Sequence, residues 1–199
     1  KTWFYCYSIM SKKVFELVLD EDQDGVFAIS LVNQPAIQEN WIALSQEHKI
    51  EFKEIESKKN ILLGAVLIPD MKIDRMGEDG EVYQVFFSGN TIQKTAHKFM
   101  KNGYQSESTL QHKSKVEGVT VVETWLKEDM VNDKSVMYGF DYPINTWMVA
   151  ISIDNPDIKD KVKSGEIKGF SIEGFFNEKL EMSEDELLYN KIKDLINGV

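Results

Sequence analysis

An uninterrupted apolar run, Ile61–Ile68, constrains the fold of this 199-residue chain more than any other feature of the sequence. The run ends at Pro69, which cannot continue a paired strand. A short apolar run bounded in this way is typical of a β-strand that is buried on both faces. We therefore expect a sheet in the middle of the domain.

Further strands are predicted where apolar and β-branched residues recur in short runs. Two of them, Phe15–Leu19 and Val26–Val32, flank the acidic turn Asp20–Gly25 and together predict a hairpin. The remaining strand predictions fall at residues 49–56, 81–87, 119–126, 144–153 and 167–176. A calcium loop is the alternative for the acidic turn, but its twelfth position is Leu31 where a bidentate Glu is needed.

Three helices are predicted from apolar spacing and capping residues. The first has Ile92, Ala96, Phe99 and Met100 at helical spacing and ends at residues 102–103. The second begins after the Asn155 N-cap and ends at Gly165. The third spans residues 183–197 and opens with a capping box in its first turn. The third helix either docks onto the parent sheet or leads towards scaffold or a partner subunit.

About eight strands and three helices without regular strand–helix alternation favour an α+β domain. We expect an antiparallel, barrel-like sheet with flanking helices. The expected division is an N-terminal extension at residues 1–13, a domain at residues 14–180 and a C-terminal helical segment at residues 181–199. Met10 resembles an ordinary translation start, so the residues before it are expected to be an upstream extension.

Composition argues against several classes of partner. The formal net charge is -10, and an acidic surface of this kind repels phosphate backbones and anionic lipid, so neither nucleic acid nor membrane is expected as a partner. Cys6 is the only cysteine and suits a reducing compartment. No apolar run reaches the roughly 18 residues of a membrane span. These features predict a cytosolic protein.

His112 is the candidate general base, because a neutral imidazole near pH 7 is the usual activator of a hydroxyl nucleophile. It follows the strand-like Ser108–Leu110, whereas His48 lies in a polar stretch and His97 on the polar side of a helix. A structural or surface role for His112 is the alternative that the residues alone leave open.

Ser171 is the candidate nucleophile. It lies in a predicted strand between Gly169 and Gly174, and these two glycines permit close approach of a substrate backbone. The spacing is not Gly-x-Ser-x-Gly, which excludes the nucleophile elbow of α/β-hydrolases. An incidental serine in a glycine-rich edge strand is the alternative.

A third residue must orient the imidazole, and Glu123 is the first choice. Strict alternation places it on one face with Val121 and Trp125, where a carboxylate is costly unless it is paired. Asp141 and Glu173 are the other candidates, and Glu173 alternates onto the same face as Ser171. No metal or organic cofactor is expected.

Four segments in order resemble the XkdF-like phage serine proteases, which are similar to prohead (capsid maturation) proteases. They are residues 111–112, 121–126, 146–149 and 164–174, and residues 25–36 also resemble the start of such proteins. The similarity extends from about residue 14 to residue 180. The block Gly169–Gly174 is its most specific part.

The resemblance implies a herpesvirus assemblin-like fold and a serine endopeptidase in which Ser171 is the nucleophile and His112 the base. It further implies that scaffold and major capsid protein are substrates, that the enzyme processes itself, and that it acts in the host cytoplasm inside the procapsid. Homo-oligomerisation is compatible with this role. The alternatives are an idle structural component of the procapsid with the same fold, and a calcium-binding surface module.

Overall fold

A computed structural model describes residues 12–20, 25–33, 53–54, 60–77, 79–181, 188, 191–193 and 195. The strands in this part of the chain are β1 Val14–Val18, β2 Gly25–Val32, β3 Lys53–Glu54, β4 Ile61–Leu67, β5 Ile73–Met76, β6 Val82–Phe86, β7 Ser108–Leu110, β8 Ser114–Lys115, β9 Val119–Leu126, β10 Trp147–Ile153, β11 Gly169–Phe175 and β12 Asn177–Leu180. The helices are α1 Gly89–Lys101, α2 Lys134–Met137, α3 Pro156–Lys163 and a 3-10 helix at Tyr104–Ser106.

These strands form three sheets of four strands each. The N-terminal sheet has the order β12-β1-β6-β5, the central sheet β3-β4-β10-β9, and the third sheet, which we call the serine sheet, β11-β2-β7-β8. The pairs β1–β6 and β2–β7 are parallel and the other pairs are antiparallel. The α+β class is therefore confirmed for the described residues. The expectation of a barrel is wrong there, because the strands divide among three open sheets.

The predicted hairpin between the first two strands is also wrong. Both strands exist, but β1 pairs with β6 and β12, whereas β2 pairs with β11 and β7. They therefore belong to different sheets. Residues 21–24, at the tip of the acidic turn, lie outside the described residues. The calcium alternative therefore also falls outside them.

Strand β4 of the central sheet is buried on both faces, as the run Ile61–Ile68 predicts. Leu62 and Val66 of β4 belong to the main apolar core, whereas Leu63 and Ala65 pack with Met148 in a second cluster. Neighbouring residues of one strand thus contact two different cores. This confirms that other parts of the chain cover both faces of β4.

Helix α1 ends, and helix α3 begins and ends, where the capping signals indicate. Ser88 caps α1 by accepting a hydrogen bond from the Thr91 amide, and Gly103 follows the helix with φ of 77°. On the buried face of α1, Phe99 meets the Trp147 ring at 5.4 Å between centroids. Asn155 caps α3 in the same way as Ser88 caps α1.

Several predictions fall partly outside the described residues. Of the strand expected at residues 49–56, residues 53–54 are described and form β3. Of the helix expected at residues 183–197, residues 188, 191–193 and 195 are described and are helical. No helix within the described ranges has the length and apolar character needed to cross a bilayer.

Candidate active site

The serine sheet places three hydroxyl residues in a row across three strands. The antiparallel register of β11 and β2 sets Ser171 opposite Ser30, and the parallel register of β2 and β7 sets Ser30 opposite Thr109. Directly paired residues project on the same face of a sheet. The neighbouring residues Phe170, Leu31 and Ile29 lie on the other face, in the main core. The hydroxyl row therefore occupies the face of the sheet away from that core.

His112 lies in the tight turn that joins β7 to β8, beside this row. Gln111 and His112 have φ of 54° and 55°, which is the left-handed region. Non-glycine residues in that region cost about 1–3 kcal/mol each and persist only where surrounding contacts offset that cost. Strand β2 supplies that support, because the Gln111 amide donates to the Leu31 carbonyl and the His112 amide to Ser30 Oγ, each at 3.0 Å. Ser30 thus fixes the backbone of the candidate base.

Glu173 is the carboxylate that lies next to His112. It follows Ser171 by two residues without a break in register, so both side chains project on the same face of β11. Its Oε1 lies 3.2 Å from His112 Nδ1 and also accepts a hydrogen bond from the Thr109 hydroxyl. The His112 and Glu173 side chains are 30% and 22% exposed, so solvent reaches part of the pair.

This arrangement assigns different roles to the two imidazole nitrogens of His112. In the tautomer that donates Nδ1–H to Glu173, Nε2 is left as the basic nitrogen. Ser171 is 3% exposed, and its Oγ makes no hydrogen bond within the described part of the protein. No hydrogen bond joins Ser171 Oγ to His112 in the described structure. The cluster therefore contains a hydroxyl, a base and a carboxylate on one face of one sheet.

The structure does not bring Glu123 to this cluster. Glu123 lies on β9 in the central sheet and its carboxylate pairs with Lys134. A bulge also separates it from Val121: Val121 pairs with Ile151 and Glu123 with the adjacent Ala150, so the two residues face opposite sides. The alternation on which the choice of Glu123 depends is broken between them. The carboxylate beside His112 is Glu173, the lower-ranked candidate.

The other candidates also lie apart from the cluster. Asp141 is exposed in the segment between α2 and β10, and His97 is exposed on α1. His48 lies outside the described residues.

Sequence reasoning missed Ser30 and Thr109. Ser30 is the one hydroxyl in the otherwise apolar strand Gly25–Val32, and it is fully buried. A lone polar residue in a buried strand must find a hydrogen-bonding partner, so its presence was a usable signal. Thr109 carries no comparable signal, because threonine is common in strands.

A buried serine, an imidazole and a carboxylate that holds the imidazole are the residue set of a serine hydrolase. The chain belongs to the family described as putative phage serine protease XkdF, whose family model matches residues 48–181. The matched range contains His112, Ser171 and Glu173, and it begins later than the resemblance expected from about residue 14. No curated protein and no solved structure matches the chain.

Proposed function

We propose that the protein is a serine endopeptidase that cleaves scaffold and capsid-protein extensions, and itself, during procapsid maturation. In this role it acts in the host cytoplasm, inside the procapsid. The observation that carries the proposal is the contact of His112 Nδ1 with Glu173. Glu173 lies on the same strand and the same face as Ser171. Membership of a phage serine protease family supports the same function. We further propose an assemblin-like relationship for the fold, which the resemblance in sequence supports.

The proposed reaction is acyl transfer through Ser171. Ser171 Oγ attacks the scissile carbonyl carbon while its proton moves to Nε2 of His112, and Glu173 stabilises the imidazolium that forms. Collapse of the tetrahedral intermediate breaks the C–N bond, and the leaving amine takes the proton from His112. Water then adds to the acyl-enzyme with the same proton transfers and releases the new carboxyl terminus.

Co-expression with the cognate scaffold protein tests this function. The wild type should convert scaffold to shorter products of defined intact mass, whereas Ser171→Ala, with an unchanged thermal melt, should leave scaffold at full length. Scaffold processing by Ser171→Ala at the wild-type rate would contradict the proposal.

The second candidate function is an idle structural component of the procapsid. Burial of the Ser171 hydroxyl without a hydrogen bond in the described structure favours this candidate. If the protein is an idle component, the wild type should leave scaffold intact. The wild type and Ser171→Ala should then co-assemble with scaffold equally well.

A further inference from the structure

A groove of about 470 Å³ separates helix α1 from β9, the edge strand of the central sheet. Sites that bind ligands commonly have volumes of about 300–1,000 Å³. β9 comes last in the order β3-β4-β10-β9, so within the described residues it has a partner strand on one side alone. Thr124 and Leu126 line the groove from β9, and Ala96 and Met100 line it from α1. The residues of the candidate active site do not line it.

The backbone of β9 directs hydrogen-bonding groups into this groove. The Lys127 amide donates to the Thr146 carbonyl at 2.9 Å, on the side of β10. Backbone groups of an antiparallel strand alternate between its two sides, so Trp125 also faces β10, whereas Thr124 and Leu126 face away from it. In the described part of the chain, no hydrogen bond joins the N–H or C=O groups of these two residues to another backbone group. They are therefore available to an added strand.

The open part of this edge is short. A bulge interrupts the ladder between Val121 and Glu123. Before the bulge, the 3-10 helix lies against β9, and the Ser106 and Thr120 hydroxyls are 3.5 Å apart. Bulges and covered edges prevent indiscriminate pairing of strands between chains. The opening beside Thr124 therefore suits a short extended segment rather than a long strand.

The wall of the groove that faces this edge is apolar. Ala96 and Met100 lie one turn apart on α1, on the same face of the helix. Met100 is 38% exposed, although its side chain is large and apolar. Leu126 packs against the main core, to which Phe99 of α1 also belongs. A segment paired with β9 directs every second side chain towards this wall, where an apolar side chain fits.

Glu128 provides a negative charge at one end of the groove. It is exposed, follows Leu126 by two residues and makes no ion pair within the described ranges. Asp133 is the other carboxylate of the lining, and hydrogen bonds from the Trp125 indole, the Glu128 amide and Ser135 already engage it. The carboxylate of Glu128 is therefore the one that can pair with a ligand.

The cations around the groove do not neutralise this end. No lysine or arginine lines the groove. Lys134 lies 5.1 Å from the centroid of the Trp125 ring, but it pairs with Glu123. His97 lines the opposite wall and is exposed on α1. The end at Glu128 thus complements a lysine or arginine of a partner.

We propose that this groove docks an extended segment of a partner protein as an added strand beside β9, with an apolar side chain against α1 and a lysine or arginine at Glu128. Side chains two residues apart project on the same face of a strand, so the cation is expected two positions from the apolar residue. In this mode the main-chain hydrogen bonds give affinity and alternate side chains give specificity. The docking site is on a different sheet from Ser171 and does not depend on the proposed peptidase function.

Fluorescence polarisation with short peptides tests the docking site. The probes are fluorescein-labelled threonine peptides with leucine at the centre and lysine two positions before it in one probe and after it in the other. The protein is the full chain with Ser171→Ala, so that the probes are not cleaved. We expect saturable binding of one probe, and threonine in place of its leucine should weaken binding about tenfold. Failure of both probes to bind would overturn the proposal.

N-methylation of the bound probe tests the added strand itself. Alternate amides of the probe face β9, so methylation at those positions should abolish binding, whereas methylation at the intervening positions should not. On binding, the Thr124 and Leu126 amides should lose their fast hydrogen exchange, while exchange of the already bonded Lys127 amide should not change. Binding that is insensitive to the position of the methyl group would contradict an added strand.

Substitutions in the groove test the two side-chain contacts. Glu128→Gln should weaken the lysine probe about threefold and leave its glutamine analogue unchanged. Glu117→Gln, at an exposed carboxylate that does not line the groove, is the matched control. Met100→Gln should weaken both about fivefold. Its control is Met137→Gln on α2, where the methionine is more exposed and lies outside the groove.

The remaining outcomes identify the occupant. Unchanged binding in both Met100→Gln and Glu128→Gln would place the probe elsewhere and overturn the proposal. A dimer in sedimentation velocity that dissociates in Met100→Gln would show that a second copy of the chain occupies the groove, which would also overturn it. Binding of the probe by a protein that leaves scaffold intact would contradict the peptidase function and support the docking site.

Discussion

Replacement of Glu173 by glutamine removes the charge beside His112 while keeping the shape of the side chain. Glutamine still offers a carbonyl oxygen to the Thr109 hydroxyl, so the local packing should survive. What is lost is the negative charge that stabilises the imidazolium when His112 takes the proton of Ser171. We therefore expect a catalytic loss with little loss of stability.

The size of the loss follows from the contact itself. A hydrogen bond to a charged group contributes about 1.5–3 kcal/mol net, and each 1.36 kcal/mol is tenfold in rate, so kcat/KM should fall about 10- to 150-fold. The distance of 3.2 Å and the 22% exposure of Glu173 favour the lower part of that range. Ser171→Ala should cost far more, because it removes the atom that attacks the carbonyl.

Steady-state cleavage of a quenched peptide, with a thermal melt of each variant, measures this effect. Glu123→Gln is the matched control, since its exposed ion pair with Lys134 is expected to contribute only about 0–1 kcal/mol to stability and nothing to catalysis. If Glu123→Gln loses more than tenfold in kcat/KM while Glu173→Gln keeps wild-type activity, the assignment of Glu173 as the orienting carboxylate is wrong.

Two further predictions concern residues that support the structure. Ser30→Ala removes the hydroxyl that accepts the part-buried hydrogen bond from the His112 amide, so we expect a loss of about 0.5–1.5 kcal/mol in stability and a lower melting temperature. Fluorophosphonate labelling of Ser171 should also be slower, and unchanged melting and labelling would refute a positioning role. Asp133 is partly buried, but hydrogen bonds from Ser135, Trp125 and the Glu128 amide outweigh that burial and lower its pKa. The stability it contributes is therefore fully present above the ordinary aspartate pKa of about 4 and is lost as the pH falls through the lowered pKa. Asp133→Asn should thus lower the melting temperature more at pH 7 than at pH 3, and an equal deficit at both pH values would contradict this.

The sequence predicts single elements well because their signals are local. The apolar run Ile61–Ile68, the end of α1, the N-cap of α3 and the bounds of β9 depend on residues that are close neighbours in the chain. The pairing of strands depends on contacts between distant residues. That is why β1 and β2 were expected to form a hairpin and instead belong to separate sheets.

The candidate site also combines a feature that local sequence predicts with features that depend on strand pairing. The shared face of Ser171 and Glu173 could be predicted, because no bulge interrupts β11 between them. The alternation assumed for Glu123 is broken by the bulge after Val121, which only the pairing of β9 with β10 reveals. The contact of His112 with Glu173 depends on β7 and β11 lying on either side of β2, and nothing local in the sequence indicates that order.

Mapping of a fluorophosphonate adduct by peptide mass spectrometry tests the central claim most directly. Attack by Ser171 Oγ forms an O–P bond and expels fluoride, and this requires the hydroxyl proton to move to His112. The account predicts a single adduct on Ser171 in the wild type, no adduct in Ser171→Ala, and strongly slowed labelling in His112→Ala with an unchanged melt. An adduct on another residue, or labelling of Ser171 at the wild-type rate in His112→Ala, would contradict the account.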